Sequence, residues 1–333
     1  MTARQRIIPV FVPHMGCPQS CVFCDQQRIS GKKTATDEVS VADTIRGALT
    51  KLPAGAEAQL AYYGGSFTAI PVYEQIRLLD AALPFLHSGE ISSIRVSTRP
   101  DAVDESRLNL LRKYGVKVIE LGAQSMCDEV LISSQRGHKS EDIDRASELV
   151  KACGFKLVLQ MMTGLPGDTK KRTMETARHI ISLSPDAVRI YPTVIIKGTM
   201  LYEMWKKGHY REHTVEEAVD WCADIIPMFN KAKIPIIRLG LNPTDDLSGG
   251  EAVAGAYHPA FGELAYSRVL LNRARALLEG KSGGDVILGV NSSDISKMLG
   301  QHRQNAEVLT RDFELRSIKV VAADIPKGLI ALL

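Results

Sequence analysis

The chain alternates between two hydrophobic patterns from its N-terminus to about residue 191. Short runs of β-branched and aromatic residues are followed by longer segments with apolar residues at helical spacing, which predicts βα units around a parallel sheet. We predict strands at Ile8–Val12, Gln59–Tyr63, Ser93–Ser97, Lys117–Leu121, Lys156–Met162 and Ala187–Tyr191. We predict the intervening helices at Ser40–Lys51, Val72–Leu86, Asp104–Tyr114, Ser140–Ala152 and Lys170–Leu183.

Six such units predict an α/β fold whose sheet closes most of the way into a TIM-like (β/α)6 barrel. In such barrels the reactive groups gather at the C-terminal ends of the strands. Each predicted strand here ends in a distinctive loop: a cysteine-containing loop after the first, then GGSF, STRPD, GAQS, TGLPG and YPT. Their regular recurrence predicts a functional site at that edge of the sheet.

The pattern changes after Leu239, where the Gly- and Asp-rich stretch NPTDDLSGGEAVAG is typical of a connecting loop. A smaller α/β region follows, with helices predicted at Pro259–Leu278 and Ser293–Arg311 and strands at Asp285–Val290 and Ile318–Ala322. We therefore divide the chain into a core domain, residues 1–240, and a small C-terminal α/β extension, residues 241–333.

Composition is that of an ordinary globular protein: 333 residues, 45% of them hydrophobic, with a net charge of +3. So small a charge argues neither for nor against a nucleic-acid partner. The sequence has no apolar run of about 18 residues, and its N-terminus lacks the pattern of a secretion signal. We expect a cytoplasmic protein with no membrane partner.

Three of the six cysteines, Cys17, Cys21 and Cys24, form a CxxxCxxC cluster on the loop after the first predicted strand. In a long chain with few cysteines, clustered thiols favour a metal or redox site over a disulfide framework. A structural zinc site would need a fourth ligand, and His14 has no familiar spacing for that role. A redox pair of Cys21 and Cys24 would leave Cys17 without a function. Three thiolates on a four-iron cluster would leave one iron open, and this is the interpretation we favour.

With the aromatic residue Phe23 before the third cysteine, the motif resembles the hallmark of the radical S-adenosylmethionine (SAM) superfamily. The resemblance implies a partial barrel and a 4Fe-4S cluster held by the three cysteines. It also implies that SAM binds the open iron and is cleaved to a 5′-deoxyadenosyl radical, with a reductant such as flavodoxin or ferredoxin as partner. Phe23 would pack near the adenine, and Gly64 and Gly65 of GGSF would receive the amino group of SAM through their backbone.

Further segments resemble the radical SAM domain of the Elongator catalytic subunit, namely STRPD, ELGAQS, SSQRGH and YPTVIIKGTMLYEMWKKGHY. This resemblance implies that Ser97, Arg99, Gln124, Arg136 and Tyr191 face the cofactor or substrate. Gln124 suits a ribose hydroxyl, and the guanidinium of Arg136 suits the SAM carboxylate. His138 and His258 are candidate acid–base groups, although a lone histidine is more often structural.

The Elongator subunit also carries an acetyltransferase domain and a basic N-terminal extension, and neither is recognisable here. Carboxymethylation of a tRNA wobble uridine is therefore not transferred, and hydrogen abstraction from a tRNA base remains a hypothesis. Arg28, Lys32 and Lys33, beside the cysteine loop, could contact phosphates.

Two alternatives stay open at this point. TGLPG also resembles a turn of oxygen-independent coproporphyrinogen oxidases, which suggests an anaerobic oxidase or decarboxylase of a small carboxylated metabolite. The other alternative is a non-catalytic iron–sulfur RNA-binding factor.

Overall fold

The computed structural model describes residues 6–18, 21–30, 36–53, 55–244 and 247–333. The strands are β1 (Arg6–Phe11), β2 (Ala58–Tyr63), β3 (Ser93–Thr98), β4 (Val116–Gln124), β5 (Lys156–Thr163), β6 (Ala187–Pro192), β7 (Val194–Ile196), β8 (Ile236–Leu239), β9 (Ala252–Gly255), β10 (Asp285–Val290), β11 (Ser317–Ala322) and β12 (Ile330–Leu332). The helices are α1 (Gln26–Ser30), α2 (Glu38–Leu49), α3 (Val72–Asp80), α4 (Leu83–His87), α5 (Glu105–Lys113), α6 (Asp128–Ser133), α7 (Ser140–Ala152), α8 (Lys170–Ser182), α9 (Met200–Lys206), α10 (Val215–Lys231), α11 (Phe261–Leu278), α12 (Ile295–Leu299) and α13 (Gln304–Asp312).

The main sheet has seven strands in the order β1-β2-β3-β4-β5-β6-β8, and every neighbouring pair is parallel. Because the strands follow chain order with helices between them, the sheet curls into a half-barrel that stays open between β1 and β8. The predicted α/β partial barrel is confirmed, and all six predicted strands are present. The seventh, β8, was not predicted, because its four residues are too few to show a period.

The two faces of the sheet differ in chemistry because successive strand residues point to opposite sides. Residues facing the helices are apolar and buried, among them Ile8, Val10, Leu60, Ile94 and Leu121. The opposite face, which we call the lumen, carries Gln59, Arg95, Glu120, Gln160 and Arg189. A small apolar cluster of Val118, Val158 and Ala187 closes the lumen at the N-terminal ends of the strands.

Local signals explain several helix boundaries. Asp104 and Thr169 accept hydrogen bonds from the first turns of α5 and α8, as N-cap residues do. The predicted helix over 72–86 is two helices, α3 and α4, with Pro84 in the first turn of the second. α10 was not predicted, although Thr214 and Glu217 form a capping box at its start.

The C-terminal part has its own three-stranded sheet, β11-β10-β12, and its own apolar core around Leu288, Met298 and Leu309. The first half of α11 packs into the main core through Phe261, and its second half belongs to the C-terminal core. The helix predicted over 293–311 is interrupted at Gly300, whose φ is +75°. The boundary at residue 240 remains a prediction. Among the described residues, no helix is both long and apolar enough to span a membrane.

Candidate functional site

The cysteine loop joins β1 to α1 and is shaped by its own hydrogen bonds. The amide of Cys17 donates to the carbonyl of His14 at 3.1 Å, and the amide of Cys24 donates to that of Cys21 at 3.0 Å. The imidazole of His14 accepts from the amide of Gln26 at 3.0 Å. This histidine is therefore engaged in fixing the loop and is not placed as a fourth ligand.

The thiols lie in surroundings that disfavour a bare thiolate. Burial and the neighbouring Cys21 raise the pKa of Cys24 to about 12. Burial and Cys21 also raise the pKa of Cys17, against the opposing charges of Arg99 and Arg136. Thiols of this kind stay protonated at neutral pH unless a metal replaces the protons.

The arrangement fits a multi-iron cluster better than a single ion. No set of three His, Cys, Asp or Glu side chains among the described residues is grouped to hold one metal ion. In a cubane each thiolate binds a different iron, so the sulfur atoms need not converge on one point. Soft sulfur donors with two arginines nearby are suited to an anionic iron–sulfur cluster, which the radical SAM family implies together with SAM.

The glycine turn after β2 packs directly against the cysteine loop. A Cβ on Gly65 would lie 2.4 Å from the carbonyl oxygen of Met15, so only glycine fits there. The carbonyl of Gly64 accepts from the amide of His14 at 2.9 Å, and the amide of Ser66 donates to the carbonyl of Met15 at 2.8 Å. Close packing thus explains Gly65, and the expected SAM contact of both glycines stays a prediction.

Arg136 links the cysteine loop to the end of β4. Its Nη1 donates to the sulfur of Cys21 at 3.0 Å, and its Nη2 donates to the carbonyl of Gly122 at 2.6 Å. Its Nε is buried and lacks a hydrogen-bond partner among the described residues. A Cβ on Gly122 would lie 3.2 Å from Nη2, so this glycine makes room for the guanidinium.

Gln124 adopts a rare backbone conformation beside Arg136. Its φ is +67°, at the point where the register between β4 and β5 shifts. Non-glycine residues in the left-handed region are uncommon and concentrate at functional sites. The side chain is buried, and its Oε1 accepts from Nε2 of Gln160 at 3.2 Å.

Arg99 and Ser97 lie on or just after β3, but their surroundings differ. The guanidinium of Arg99 forms a two-point ion pair with Asp101 at 3.0 and 2.9 Å, and its amide donates to Oγ of Ser66 at 3.2 Å. Ser97 is half-buried on the lumen side. Arg99 is thus held by a neighbouring carboxylate, whereas Ser97 faces the space where a ligand would lie.

Phe23 and Tyr191 contact the same apolar cluster, formed by Val130, Met162 and Leu165. The hydroxyl of Tyr191 accepts from Nη1 of Arg189 at 3.2 Å. Two residues far apart in sequence therefore share one wall of the site.

A cleft of about 990 Å³ opens beside the cysteine loop and is lined by Cys21, Cys24, His138 and Met200, among others. The side chain of His138 is buried, and neither ring nitrogen has a hydrogen-bond partner among the residues described. Burial and the charges of Arg136 and Arg99 lower its pKa to about 4, so the ring is neutral at pH 7. A neutral imidazole at a cleft wall can donate or accept one hydrogen bond to a ligand.

Other predicted residues are placed differently. Nδ1 of His258 accepts from the amide of Ala260 at 3.1 Å, just before α11, which gives it a structural role. Arg28 forms ion pairs with Asp25 and Glu251, so its charge is already matched. Lys32 and Lys33 lie outside the described residues.

Sequence reasoning missed several contributors to the site. Gly122, Asp101 and Gln160 each contact a predicted residue. Gly122 and Gln160 lie on lumen positions of adjacent strands and pair in the β4–β5 register, so the period-two pattern was the available signal.

Comparison with known proteins agrees with this architecture. The Radical SAM superfamily matches residues 11–180, and the Radical SAM C-terminal domain matches residues 185–270. A tRNA uridine(34) acetyltransferase of Methanocaldococcus jannaschii is 30% identical over 228 residues, which cover 62% of this chain and 41% of that protein. Elongator complex protein 3 of Mus musculus is 30% identical over 226 residues, which cover 62% of this chain and 40% of that protein.

A solved structure of Methanocaldococcus infernus Elp3 with an N-terminal deletion superposes with a TM-score of 0.62 at 26% identity, covering 80% of this chain and 63% of that one. The chain spans about two fifths of the length of the two sequence relatives. The resemblance to the Elongator catalytic subunit is confirmed, and because the family consists of enzymes we do not retain the non-catalytic alternative. With a match over more than half of its length, the chain belongs to the radical SAM superfamily, whose members use a 4Fe-4S cluster and SAM.

Proposed function

We propose that Cys17, Cys21 and Cys24 hold a 4Fe-4S cluster, that SAM binds its open iron, and that the enzyme abstracts hydrogen from a tRNA base. The observation that carries the proposal is the packing of the three-cysteine loop against the glycine turn and Arg136, at the C-terminal edge of a half-barrel. When bound, the cluster and SAM supply an electron and a carbon-centred radical.

The chain's own residues would position and insulate this chemistry. Arg136 places positive charge at the sulfur of Cys21, which favours the reduced, more negative state of a bound cluster. Phe23 and Tyr191 offer an apolar wall for the adenine, and Gln124 offers an amide for the ribose. His138 presents a neutral ring to the cleft, where it could donate to SAM or substrate.

Support for a tRNA substrate comes from the relatives, one of which is named for its action on tRNA uridine 34. The cleft itself is not strongly basic, because Lys139 on its rim is accompanied by Glu141 and Asp142. The proposed partner that reduces the cluster is a reductant such as flavodoxin or ferredoxin. A small carboxylated substrate is the second candidate, and the arginines of the lumen favour it.

The first test is production of 5′-deoxyadenosine. The protein is reconstituted anaerobically with iron and sulfide, reduced with dithionite, mixed with SAM, and analysed by chromatography. We expect formation to fall at least about 100-fold in Cys24→Ala, because loss of one thiolate prevents proper cluster assembly. Cys222→Ala is the matched control, since Cys222 is buried on α10 among core residues.

Cellular tRNA is then added to the wild-type enzyme. We expect faster turnover and a new nucleoside mass in digested tRNA. Cluster-loaded enzyme that never yields 5′-deoxyadenosine, even with cell extract supplying substrate, would contradict radical SAM activity. Activity that tRNA leaves unchanged and small carboxylates raise would contradict the tRNA substrate.

A further inference from the structure

We propose that the lumen binds an anionic oxygen group of the substrate, a carboxylate or a phosphate, at Arg189 and Arg238. The inference rests on the proposed function for the position of the reaction, and it deepens that function by naming the chemistry of the substrate. Its basis is an excess of guanidinium groups over carboxylates on one face of the sheet.

Glu120 is the one carboxylate that the described strands of the main sheet carry. Its Oε1 lies 3.0 Å from Nε of Arg189, and its Oε2 lies 3.5 Å from Nη1 of Arg95. Arg189 also donates to the hydroxyls of Tyr63 and Tyr191. The single negative charge of Glu120 is therefore shared by two arginines, Arg95 and Arg189.

Arg238 adds a third cation to the same layer. It pairs with Arg189 in the register of β6 and β8, so both side chains leave the same face of the sheet. Its Nε donates to the carbonyl of Gly240 at 3.1 Å. Within the described part of the chain it forms no ion pair, and its terminal nitrogens donate to no residue.

The electrostatics at Arg238 favour an anion as a neighbour. Burial lowers the pKa of Arg238, and the charge of Arg189 lowers it further, while Tyr191 opposes the shift. Arg189 already has Glu120 as its counter-ion, so the uncompensated charge is that of Arg238. A half-buried charge without a counter-ion is costly, and a guanidinium matches two oxygens of a carboxylate or phosphate. An anion between Arg189 and Arg238 would relieve the repulsion.

The lumen is accessible on the side opposite these arginines. On β1, Ile8 and Val10 are buried against helices, while Ile7 and Pro9 are exposed on the alternate face. On that same face Phe11 is half-buried, and its ring lies 6.3 Å from the ring of Tyr63. The open half-barrel thus has an apolar wall facing a cationic one, which suits a substrate with an apolar or aromatic body and an anionic end.

The cationic layer is close to the cysteine loop. Glu120 and Gly122 lie on the same face of β4, two residues or about 7 Å apart. Gly122 accepts from Arg136, which in turn donates to Cys21. A substrate held by its anionic end at Arg189 and Arg238 would extend its body toward the proposed SAM site.

The test measures binding to the full chain by calorimetry, without SAM or reductant. Benzoate is compared with benzamide for the carboxylate, and uridine 5′-monophosphate with uridine for the phosphate. We expect at least one charged probe to bind about tenfold or more tightly than its neutral partner, and Arg238→Gln to remove that preference. Arg316→Gln, an exposed arginine on the C-terminal extension, should bind as the wild type does.

The probe pair that shows the charged preference identifies the anion: the benzoate pair points to a carboxylate, and the uridine 5′-monophosphate pair points to a phosphate. Arg238→Lys, checked for folding by circular dichroism, should keep part of the preference because it keeps the charge but loses the planar fork. Equal affinity for charged and neutral probes, or unchanged binding in Arg238→Gln, would overturn the proposal. Anion binding by an enzyme that forms no 5′-deoxyadenosine would instead count against the proposed function alone.

Discussion

Glu120 and Leu121 are neighbours on β4, yet they belong to opposite parts of the molecule. Glu120 is 2% exposed in a charged lumen, and Leu121 is fully buried in the apolar layer between sheet and helices. The contrast repeats along β2 to β6 because strand side chains alternate. One face of the sheet therefore supplies stability through apolar burial, and the other collects the polar groups that chemistry needs.

The largest change in the free energy of unfolding is expected from a substitution in the lumen. Glu120→Gln should lower the free energy of unfolding by about 3–5 kcal/mol, because it leaves Arg95 and Arg189 buried without a carboxylate. Urea denaturation measures the change. Glu129→Gln is the control, since its ion pair with Arg172 is exposed and worth less than about 1 kcal/mol. Equal losses in the two variants would mean that the lumen charges are solvated like surface charges.

The next largest change in the free energy of unfolding is expected on the helix-facing side of the sheet. Leu121→Ala should lower the free energy of unfolding by about 3 kcal/mol through the cavity it leaves, whereas Leu121→Met should cost less than about 1.5 kcal/mol. Formation of 5′-deoxyadenosine per folded molecule should not change in either variant. A loss of that activity without a loss of stability would contradict the claim that the helix-facing side contributes to stability and not to the chemistry.

A third effect concerns pH and a titratable group outside the lumen. His213 is buried between the TGLPG turn and α10, with its ring centre 4.4 Å from that of Trp221 and its Nε2 3.3 Å from Oγ1 of Thr163. Burial lowers its pKa to about 4, while the unfolded chain has a value of about 6.5. The unfolded state therefore binds more protons between these values, and stability is lost as pH falls through this window.

From pH 7 to pH 5 this group should contribute a loss on the order of 2 kcal/mol. His213→Gln should reduce the slope of stability against pH, measured by urea denaturation, without removing it, because the pKa of His138 is lowered in the same direction. The exposed His209→Gln is the control. A slope unchanged in His213→Gln would show that this histidine does not titrate on unfolding.

Sequence patterns predicted strands β1 to β6, β10 and β11, most helices and the cysteine cluster, because each of these depends on residues close together in the chain. β8 is four residues long, which is too short to show a period. The helical period over 72–86 was visible, but the break into two helices before Pro84 was not. α10 carries Pro227 inside it, although its capping box was a usable signal.

The site was predictable only in part for the same reason. The CxxxCxxC spacing is local, but the network of Arg95, Glu120, Arg189 and Arg238 is assembled by strand register from four separate strands. The period-two pattern of a strand shows which face of the sheet a side chain lies on. It does not show which side chain of another strand it contacts. Arg99 illustrates the limit, since its two-point ion pair with Asp101 is evident only in the structure.

The central claim is a 4Fe-4S cluster with one open iron that binds SAM. Electron paramagnetic resonance of the reconstituted, dithionite-reduced enzyme tests it directly, because the signal of a reduced cluster depends on the ligands of its irons. We expect the spectrum to change when SAM is added, and Cys24→Ala to lack both the reduced-cluster signal and the change. A full cluster signal that SAM leaves unaltered would contradict the claim.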